Sequence, residues 1–312
     1  ELAVRNLYVE ERGIGDRGLS VWAGSRMYRG DDIYLLDFWP LDNLNTVGGG
    51  VGFDTPDDRS FVASHFGLNR AADPFQHEIV DRPAPQNQPG TTEVTLLDRP
   101  RVVSSLKLGH ILPVIGDKGG VKGLLYGEVH RLPSGERERQ PGDIEDVPGD
   151  SGYLIGAQVG VFTAIRDTFV NFFFRHGRGL AAYGELATPE GSSPDRTVAG
   201  AQETPIGISG NYEHEIFGVV LGGYFRPFRE PTPEPFRFEN VDEGILVARP
   251  HLFLGDHAGV AVEGSYQAQQ RGILDVNTNE PLNAHLWRFG IIPYLSPAGR
   301  GIFKRPQLRL IW

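Results

Sequence analysis

The clearest regularity along the chain is an alternation of short strand-like segments with connections of two very different lengths. Segments of about 8–13 residues are joined in turn by tight turns and by long polar loops, over five consecutive hairpins. A soluble β-sandwich has no reason to alternate its connections in this way, whereas a bacterial outer-membrane barrel has tight periplasmic turns and long outer loops. Ten residues at about 3.3 Å each, tilted by about 45°, rise about 23 Å, which is close to the hydrocarbon thickness that such a barrel spans. The predicted strands are Ser104–Ile115, Val121–Arg131, Gly152–Ile165, Thr168–Arg175, Pro205–Tyr212, Ile216–Phe225, Gly244–Leu254, Gly259–Gln269, Asn283–Leu295 and Arg305–Trp312, with long loops at 70–93, 132–150, 176–204, 226–242 and 270–282.

The side chains within the strands supply a second observation. In Gly259–Gln269, valines and a tyrosine alternate with polar residues such as Glu263 and Gln267, a row that is too polar for a packed core. Alternation alone also fits a soluble sandwich whose polar face meets water. Combined with the alternating connections, it favours an antiparallel β-barrel with a water-filled lumen and a lipid-facing exterior.

The N-terminal part of the chain is organised differently. Short strands are predicted at Leu2–Val9, Leu19–Arg26 and Ser60–Leu68. Between the last two lies a segment, residues 27–53, that mixes aromatic residues with arginines and aspartates and ends in the glycine run Gly48–Gly50. A long aromatic loop of this kind is usually functional rather than a plain connector. Flat ring faces beside charged groups suit sugars, because pyranose rings stack on the aromatic faces and their hydroxyls bond to the charges.

The composition narrows the classes of function. The chain has 312 residues and a formal net charge of −10, which disfavours a nucleic-acid partner because phosphates attract basic surfaces. The absence of cysteine fits an exported protein. The sequence contains no run of about 18 apolar residues, so no transmembrane helix is predicted. The chain begins at Glu1, without methionine or a signal-like segment, so we expect a processed or partial chain.

The sequence lacks the usual patterns of catalytic and metal-binding sites. The nine histidines are scattered without metal-ligand spacing. Asp31 and Asp32 are adjacent on an extended segment and point in opposite directions, which does not suit paired-carboxylate hydrolysis of glycosides. There is no nucleophile–base constellation and no phosphate-binding loop. We therefore predict no enzyme activity, no metal and no cofactor.

One stretch carries a specific family resemblance. The run WAGSRMYRGDDIYLLDFW, Trp22–Trp39, is similar to the maltoporin-like outer-membrane sugar porins, in which a WAGKR-type strand leads into an inward-folded loop that narrows the pore. Further runs resemble the same family in the same order along the chain: VRNLYVE, GYLIGAQVGVFTAIRDTFVNFFF with the later GRGL, ARPHLFL, VEGSYQAQQ and RPQLRLIW. The resemblance covers most of the chain, although residues 70–103 and 132–150 align poorly.

This resemblance implies an all-β fold, a transmembrane antiparallel β-barrel with an inward-folded constriction loop at residues 27–53 and a single barrel domain over residues 1–312. Barrels of the family have about 18 strands, and about 13 or 14 are counted in this sequence. Either the chain covers only part of such a barrel and is incomplete at both ends, or the barrel is shortened; we favour the first, because an open sheet edge cannot face lipid. The resemblance further implies an oligosaccharide substrate, contact with outer-membrane lipid, a homotrimer, and a location in the outer membrane of a Gram-negative bacterium.

The resemblance also implies which residues bind sugar. The family's loop arginine falls on Gly30, so Arg29, one place earlier, is expected to replace it. In the family, sugars move along a helical path of aromatic residues, which is called the slide. A further position of this slide falls on Leu254, next to Phe253. The implied sugar-binding residues are the slide aromatics Trp39 and Phe169 and the polar residues Arg5, Arg29, Asp32 and Asp37.

Each of these residues also has a plainer interpretation. Phe169 shares a strand face with polar Asn171 and Arg175, which favours a place in the lumen, but it also fits packing against the inward loop. Trp39 fits a loop-core or membrane-interface aromatic, and the two aspartates fit turn and capping positions. Three other aromatics are interpreted as interface or packing residues: Trp22, Tyr153 and Trp287.

Three functions are compatible with these observations. The first hypothesis is a porin for the passive diffusion of sugars, of maltodextrin type, along an aromatic slide and a polar track, with ion transport through the same pore. The alternative is a structural or general-diffusion barrel subunit of an envelope assembly without sugar selectivity, which the departures at Gly30 and Leu254 favour modestly. A soluble β-rich carbohydrate-binding protein is the least favoured of the three.

Overall fold

The computed structural model of the chain describes residues 6–15, 18–70, 76–84, 89–115, 119–140, 143–163, 167–183, 197–231 and 239–310. Its regular structure is almost entirely β. The strands are β1 (Leu7–Ile14), β2 (Leu19–Arg29), β3 (Asn43–Asp54), β4 (Ser60–Asn69), β5 (His77–Pro83), β6 (Thr91–Asp98), β7 (Arg101–Ile115), β8 (Gly119–Leu132), β9 (Gly135–Gln140), β10 (Asp143–Val147), β11 (Asp150–Phe162), β12 (Phe169–Gly179), β13 (Gln202–Glu203), β14 (Ile206–Glu213), β15 (Phe217–Arg229), β16 (Val241–Phe253), β17 (Ala258–Leu274), β18 (Pro281–Leu295) and β19 (Leu308–Arg309). Two short 3₁₀ helices occur at Tyr34–Leu36 and Leu180–Tyr183. The described residues include no helix that is both long enough and apolar enough to cross a membrane.

Fifteen of the strands form one antiparallel sheet whose order follows the chain, with the hairpins β5–β6 and β9–β10 left out of it. The order is β1-β2-β3-β4-β7-β8-β11-β12, then β13 and β14 end to end, then β15-β16-β17-β18-β19. Thr204 and Pro205 separate β13 from β14, because proline has no N–H to donate to the ladder. The predicted all-β, antiparallel architecture is confirmed.

Two predicted loops contain structure that the sequence analysis missed. Residues 70–93 and 132–150 were predicted as long loops, but they contain strands of the hairpins β5–β6 and β9–β10, each a separate two-stranded sheet. Three of these strands, β5, β9 and β10, are rich in charged residues, and charged side chains pair across the strands and between the hairpins. Arg137 Nε lies 3.2 Å from a Glu145 oxygen within one hairpin, and Arg82 joins the two hairpins through Glu138 at 2.8 Å.

The two faces of the large sheet differ in the way expected for a lipid-facing exterior. On β18, Trp287 and Phe289 are 62% and 77% exposed, although both are large aromatics. On the opposite face of the sheet, polar side chains are buried, among them Gln158 of β11 at 2% exposure and Ser265 of β17 at 8%. Apolar side chains on the open face and polar ones on the enclosed face reverse the arrangement of a soluble protein and are typical of an outer-membrane barrel.

The loop predicted at residues 27–53 is shorter in the structure, and this prediction was wrong at both ends. Met27 to Arg29 complete β2, and residues 43–53 belong to β3, so the connection spans residues 30–42; we call it the inward loop. The glycine run lies in β3 because the strand passes close to its neighbours. At Gly50, for example, a Cβ would collide with the indole of Trp22 across the strand pair.

The inward loop packs against one face of the large sheet, which we call the inner face. Ile33 and Leu41 are buried in a cluster with Leu124 and Leu154, side chains that β8 and β11 present to the loop. Ile33 also lies against β15, where a Cβ at Gly222 would strike its side chain. The sheet therefore curves around the inward loop, which crosses its interior.

Candidate functional site

Two lysine–aspartate pairs fix the ends of the inward loop to the inner face. At its start, Lys122 Nζ of β8 lies 2.6 Å from Asp31 Oδ2, and Gln158 Nε2 donates to the same oxygen at 2.5 Å. Burial opposes ionisation of Asp31, but the charge of Lys122 and these two hydrogen bonds outweigh it and hold the pKa of Asp31 below its ordinary value. At the end of the loop, Lys107 of β7 pairs with Asp42, whose pKa burial raises despite the lysine. Both pairs attach the loop to the same wall.

A second segment enters the interior from the opposite direction. The connection between β18 and β19, residues 296–307, lies at the end of the sheet where the short turns are, and we call it the inward turn. Ile302 is 1% exposed, and its N–H donates to Glu213 Oε2 at 2.8 Å. Arg300 Nη1 donates to the carbonyl of Glu215 in a neighbouring short turn at 2.6 Å. A strand was predicted from Arg305, but the chain first turns inward to bury Ile302, and strand pairing resumes only at β19.

The inward loop and the inward turn meet inside the sheet. The ring of Tyr34 lies edge-on to Phe303, with centroids 5.3 Å apart and planes at 79°. Arg305 Nη2 donates to the Tyr34 hydroxyl at 2.5 Å. Phe303 in turn lies nearly parallel to Phe169 of β12, with centroids 6.3 Å apart. Three aromatic side chains from three different elements therefore form one continuous wall.

A cavity of about 650 Å³ adjoins this aromatic wall. Its lining combines ring faces with charged and hydroxyl groups, the combination that binds sugars. One lining atom, Ser209 Oγ, is buried and has no hydrogen-bond partner within the described part of the chain. The cavity is lined by the aromatics Tyr34, Phe162, Phe169 and Phe303 and by the polar residues Asp31, Asp32, Lys122, Asp167, Asn171 and Ser209, among others.

Two of the predicted site residues, Asp32 and Phe169, lie together in this cavity. Asp32 is half-buried, and burial raises its pKa above the ordinary value, with a further contribution from the nearby carboxylates of Asp31 and Asp37. Asp31 and Asp32 therefore differ, because Asp31 has Lys122 beside it. Among the described residues, Lys122 neutralises Asp31 and no lysine pairs with Asp32, while Asp167 is a third carboxylate in the lining.

Trp39 and Arg29 also lie together, but at the root of the inward loop and not in the lining of the cavity. The Arg29 guanidinium lies 4.0 Å from the centroid of the Trp39 ring. Its Nε donates to Asn43 Oδ1 at 2.9 Å, and Arg29 and Asn43 are cross-strand partners at the ends of β2 and β3. One face of Trp39 is thus covered by a cation.

The remaining predicted positions are separate from both groups. Asp37 follows the first 3₁₀ helix in a left-handed conformation with φ of 49°, and its side chain is exposed. Leu254 is 62% exposed at the end of β16, whereas the adjacent Phe253 is buried in the cluster around Ile302. Arg5 lies outside the described residues.

Phe303 and Lys122 line the cavity but were not predicted as site residues. Lys122 is one of only four lysines in the chain, and it lies on a predicted strand in a register that faces the loop. Phe303 follows Ile302 in a connection at the end of the sheet that otherwise has tight turns. An apolar pair in such a connection was the available signal that the segment packs inward.

Comparison with known proteins assigns the family. A search of curated proteins gave no match to the chain. A family model described as LamB porin matches residues 1–312, the full length of the sequence. LamB porins are outer-membrane β-barrel channels for sugars, and they are typically trimers. The match agrees with the resemblance carried by the WAG-to-DFW run and with the antiparallel sheet described above, and the chain belongs to the LamB porin family.

Proposed function

We propose that the chain forms a sugar-selective passage through the Gram-negative outer membrane, and that the cavity beside Asp32 and Phe169 is its sugar-binding stretch. The observation that carries this proposal is the convergence of ring faces and polar groups in one cavity, at the place where the inward loop narrows the interior. Transport is passive diffusion down a gradient. The proposal involves no bond making or breaking and needs no cofactor or metal.

In this mechanism the aromatic wall forms the slide. Pyranose rings stack on Phe169 and Phe303, whose planes lie within 24° of each other, and pass Tyr34 beside them. Asp32 and Ser209 replace water at the sugar hydroxyls, and the unpartnered Ser209 hydroxyl is available for this. Binding must be weak enough for release, so we expect a dissociation constant on the order of millimolar, or about −4 kcal/mol.

The other predicted residues are proposed as sugar contacts outside the cavity. Trp39 and Arg29 lie at the root of the inward loop, and we propose that a sugar ring stacks on the face of Trp39 opposite Arg29. Asp37 is exposed next to them in sequence and is available to hydroxyls. Arg5 is proposed as a polar contact on the family resemblance alone. On the same resemblance, we propose maltodextrin-type oligosaccharides as substrates and a homotrimer as the assembly.

Single-channel recording of the detergent-purified full chain in a planar bilayer tests the proposal, with titration from maltose to maltohexaose. A sugar-selective passage gives open steps that longer maltodextrins block more strongly, because more rings contact the slide. Open steps that no sugar blocks would contradict the proposal and leave a general-diffusion pore.

A second function is favoured by one observation. The inward loop and the inward turn touch through Tyr34, Phe303 and Arg305, so they bridge part of the interior. A structural barrel subunit, with no transport, would use such a bridge as a plug. Folded protein that inserts without producing any conductance steps would support this alternative.

A further inference from the structure

We infer that Arg305 is a positioning residue for sugar passage, which holds Tyr34 and Phe303 in register across the interior and so fixes the width of the aromatic wall. This inference rests on the proposed function of the cavity. It concerns a side chain that does not line the cavity but contacts two elements that do.

The geometry of the Arg305 guanidinium connects the two segments. Nη2 donates to the hydroxyl of Tyr34 on the inward loop at 2.5 Å. Nη1 donates at 3.0 Å to each of two carbonyls of its own turn, those of Ile302 and Lys304. The guanidinium carbon also lies 5.9 Å from the centroid of the Tyr34 ring. A planar fork with donors in fixed directions suits a bridge of this kind, whereas lysine offers a single flexible charge.

The inward turn has anchors that do not involve Arg305. Arg300 bonds to the carbonyl of Glu215 and, through Nη2 at 2.9 Å, to Asp256. Gln307 donates to two carbonyls of the turn, at 3.2 and 3.3 Å, and Ile302 is buried in an apolar cluster. Removing the Arg305 side chain should therefore leave the inward turn in place.

The middle of the inward loop depends more directly on Arg305. The two lysine–aspartate pairs fix residues 31 and 42, and Tyr34 lies between them with its side chain 36% exposed. Its ring contacts Phe303 edge-on and its hydroxyl accepts from Arg305. Loss of the hydrogen bond would allow the Tyr34 ring to rotate over the cavity. Ring stacking with a sugar requires a fixed ring orientation, so sugar binding should respond more strongly than ion flow.

The test is a double-mutant cycle read out by sugar block in planar bilayers. Arg305→Met keeps the length of the side chain and removes its donors, and Tyr34→Phe removes only the acceptor hydroxyl. We expect each variant to weaken block by maltohexaose about tenfold, the effect of one charge-assisted hydrogen bond. The double variant should be no weaker than either single one, and Arg305→Lys should recover part of the affinity.

The control is Arg300→Met, which makes the same chemical change in the same turn but affects contacts with Glu215 and Asp256 instead of Tyr34. We expect its block to stay within about twofold of wild type. Unchanged block in Arg305→Met, or losses that simply add in the double variant, would overturn the inference. If Arg305→Met does not insert, the Tyr34→Phe and Arg305→Lys pair carries the same cycle.

The outcome also separates this inference from the proposed function. Wild-type channels that no sugar blocks would contradict the proposed function. In that case single-channel conductance still reports on the hydrogen bond between Arg305 and Tyr34, because Arg305→Met and Tyr34→Phe should change the conductance non-additively. Additive changes in conductance would reject the positioning role independently of any sugar.

Discussion

Two regions of the inner face contain the same kinds of side chain but use them differently. In the first, which we call the N-terminal stack, the ring of His65 lies parallel to those of Trp22 and Tyr28 at 5.5 and 5.3 Å. Arg26 covers Trp22 at 5.0 Å. In the second region, the aromatic wall of Tyr34, Phe169 and Phe303, the rings border a cavity of about 650 Å³.

The difference lies in what covers the ring faces. In the N-terminal stack the faces are occupied by other rings and by a guanidinium, and Trp22 is only 5% exposed. In the aromatic wall Tyr34 meets Phe303 edge-on, Phe303 and Phe169 lie nearly parallel with centroids 6.3 Å apart, and the cavity adjoins all three rings. Aromatic residues next to arginines therefore do not identify a sugar site by themselves. A sugar site also needs free ring faces and polar groups without partners.

The largest effect is expected from Trp22→Ala, and it should fall on stability. The substitution removes a nearly buried indole that packs on three aromatic side chains. We expect a loss of about 3–5 kcal/mol, as for other buried large-to-small changes. Denaturant unfolding of the protein in detergent measures it. Trp287→Ala, the same change at an exposed position of β18, is the control and should cost much less. If Trp22→Ala weakens sugar block without a loss of stability, the N-terminal stack lies in the sugar path, and the two regions do not differ in function.

The next effect in size is expected from Phe303→Ala and Phe169→Ala, and it should fall on sugar binding. Each change removes one ring from the aromatic wall and should weaken maltohexaose block by about three- to tenfold, the range of one aromatic contact. Ion conductance should change little or rise slightly, because the passage widens. The control is Phe172→Ala, on the same strand as Phe169, where the ring is 55% exposed on the opposite face of β12. Equal block in Phe303→Ala and Phe172→Ala would remove Phe303 from the slide.

The strands were largely predictable from the sequence, and the errors had identifiable physical causes. Alternation of connection length and of side-chain polarity located most strands within a few residues, as for β4 and β14. The inward loop was predicted too long because Gly48–Gly50 resembled a loop end. In the structure these glycines make room for close neighbours such as Trp22, a fact that depends on the register of strands that are distant in sequence.

The site was only partly predictable. Asp32 and Phe169 were placed by family resemblance, and the cavity joins them. Phe303 comes from a turn more than 130 positions beyond Phe169 in the chain, and only the fold shows that the two rings meet. Lys122 likewise gains its importance from Asp31, a partner on the inward loop. Contacts between segments so far apart leave no local pattern in the sequence.

A smaller effect is expected from Trp39→Ala. Trp39 lies outside the aromatic wall, and Arg29 covers one face of its ring. At most one face of the Trp39 ring is therefore left for a sugar. We expect a loss of about twofold to threefold in oligosaccharide affinity, at the low end of one aromatic contact, and a smaller change in ion conductance. Sugar titration of single channels measures both. Unchanged sugar block in Trp39→Ala would remove Trp39 from the slide and restrict sugar binding to the cavity.

The smallest effect concerns the charge of the cavity and its dependence on pH. Burial raises the pKa of Asp32 above its ordinary value, and the charges of Asp31 and Asp37 add to the shift. Burial opposes ionisation of Asp31, but Lys122 holds the pKa of Asp31 below its ordinary value. As the pH falls, Asp32 should therefore take up a proton before Asp31 does. The cavity then loses the negative charge of Asp32 and keeps the carboxylates of Asp31 and Asp167, so the preference of the channel for cations should decrease.

Reversal potentials in a salt gradient, recorded from neutral to acidic pH, measure this preference. Asp32→Asn should lower cation preference already at neutral pH and flatten the decrease on acidification, because the titrating group is gone. Asp57→Asn, in the exposed β3–β4 turn, is the matched control and should keep the wild-type profile. A wild-type pH profile in Asp32→Asn would show that the carboxylate does not face the ion path. In the N-terminal stack the charge of Arg26 is paired with Glu10 at 3.3 Å. The aromatic wall would then differ from this stack only in which ring faces are free, and not in an unpaired charge on the ion path.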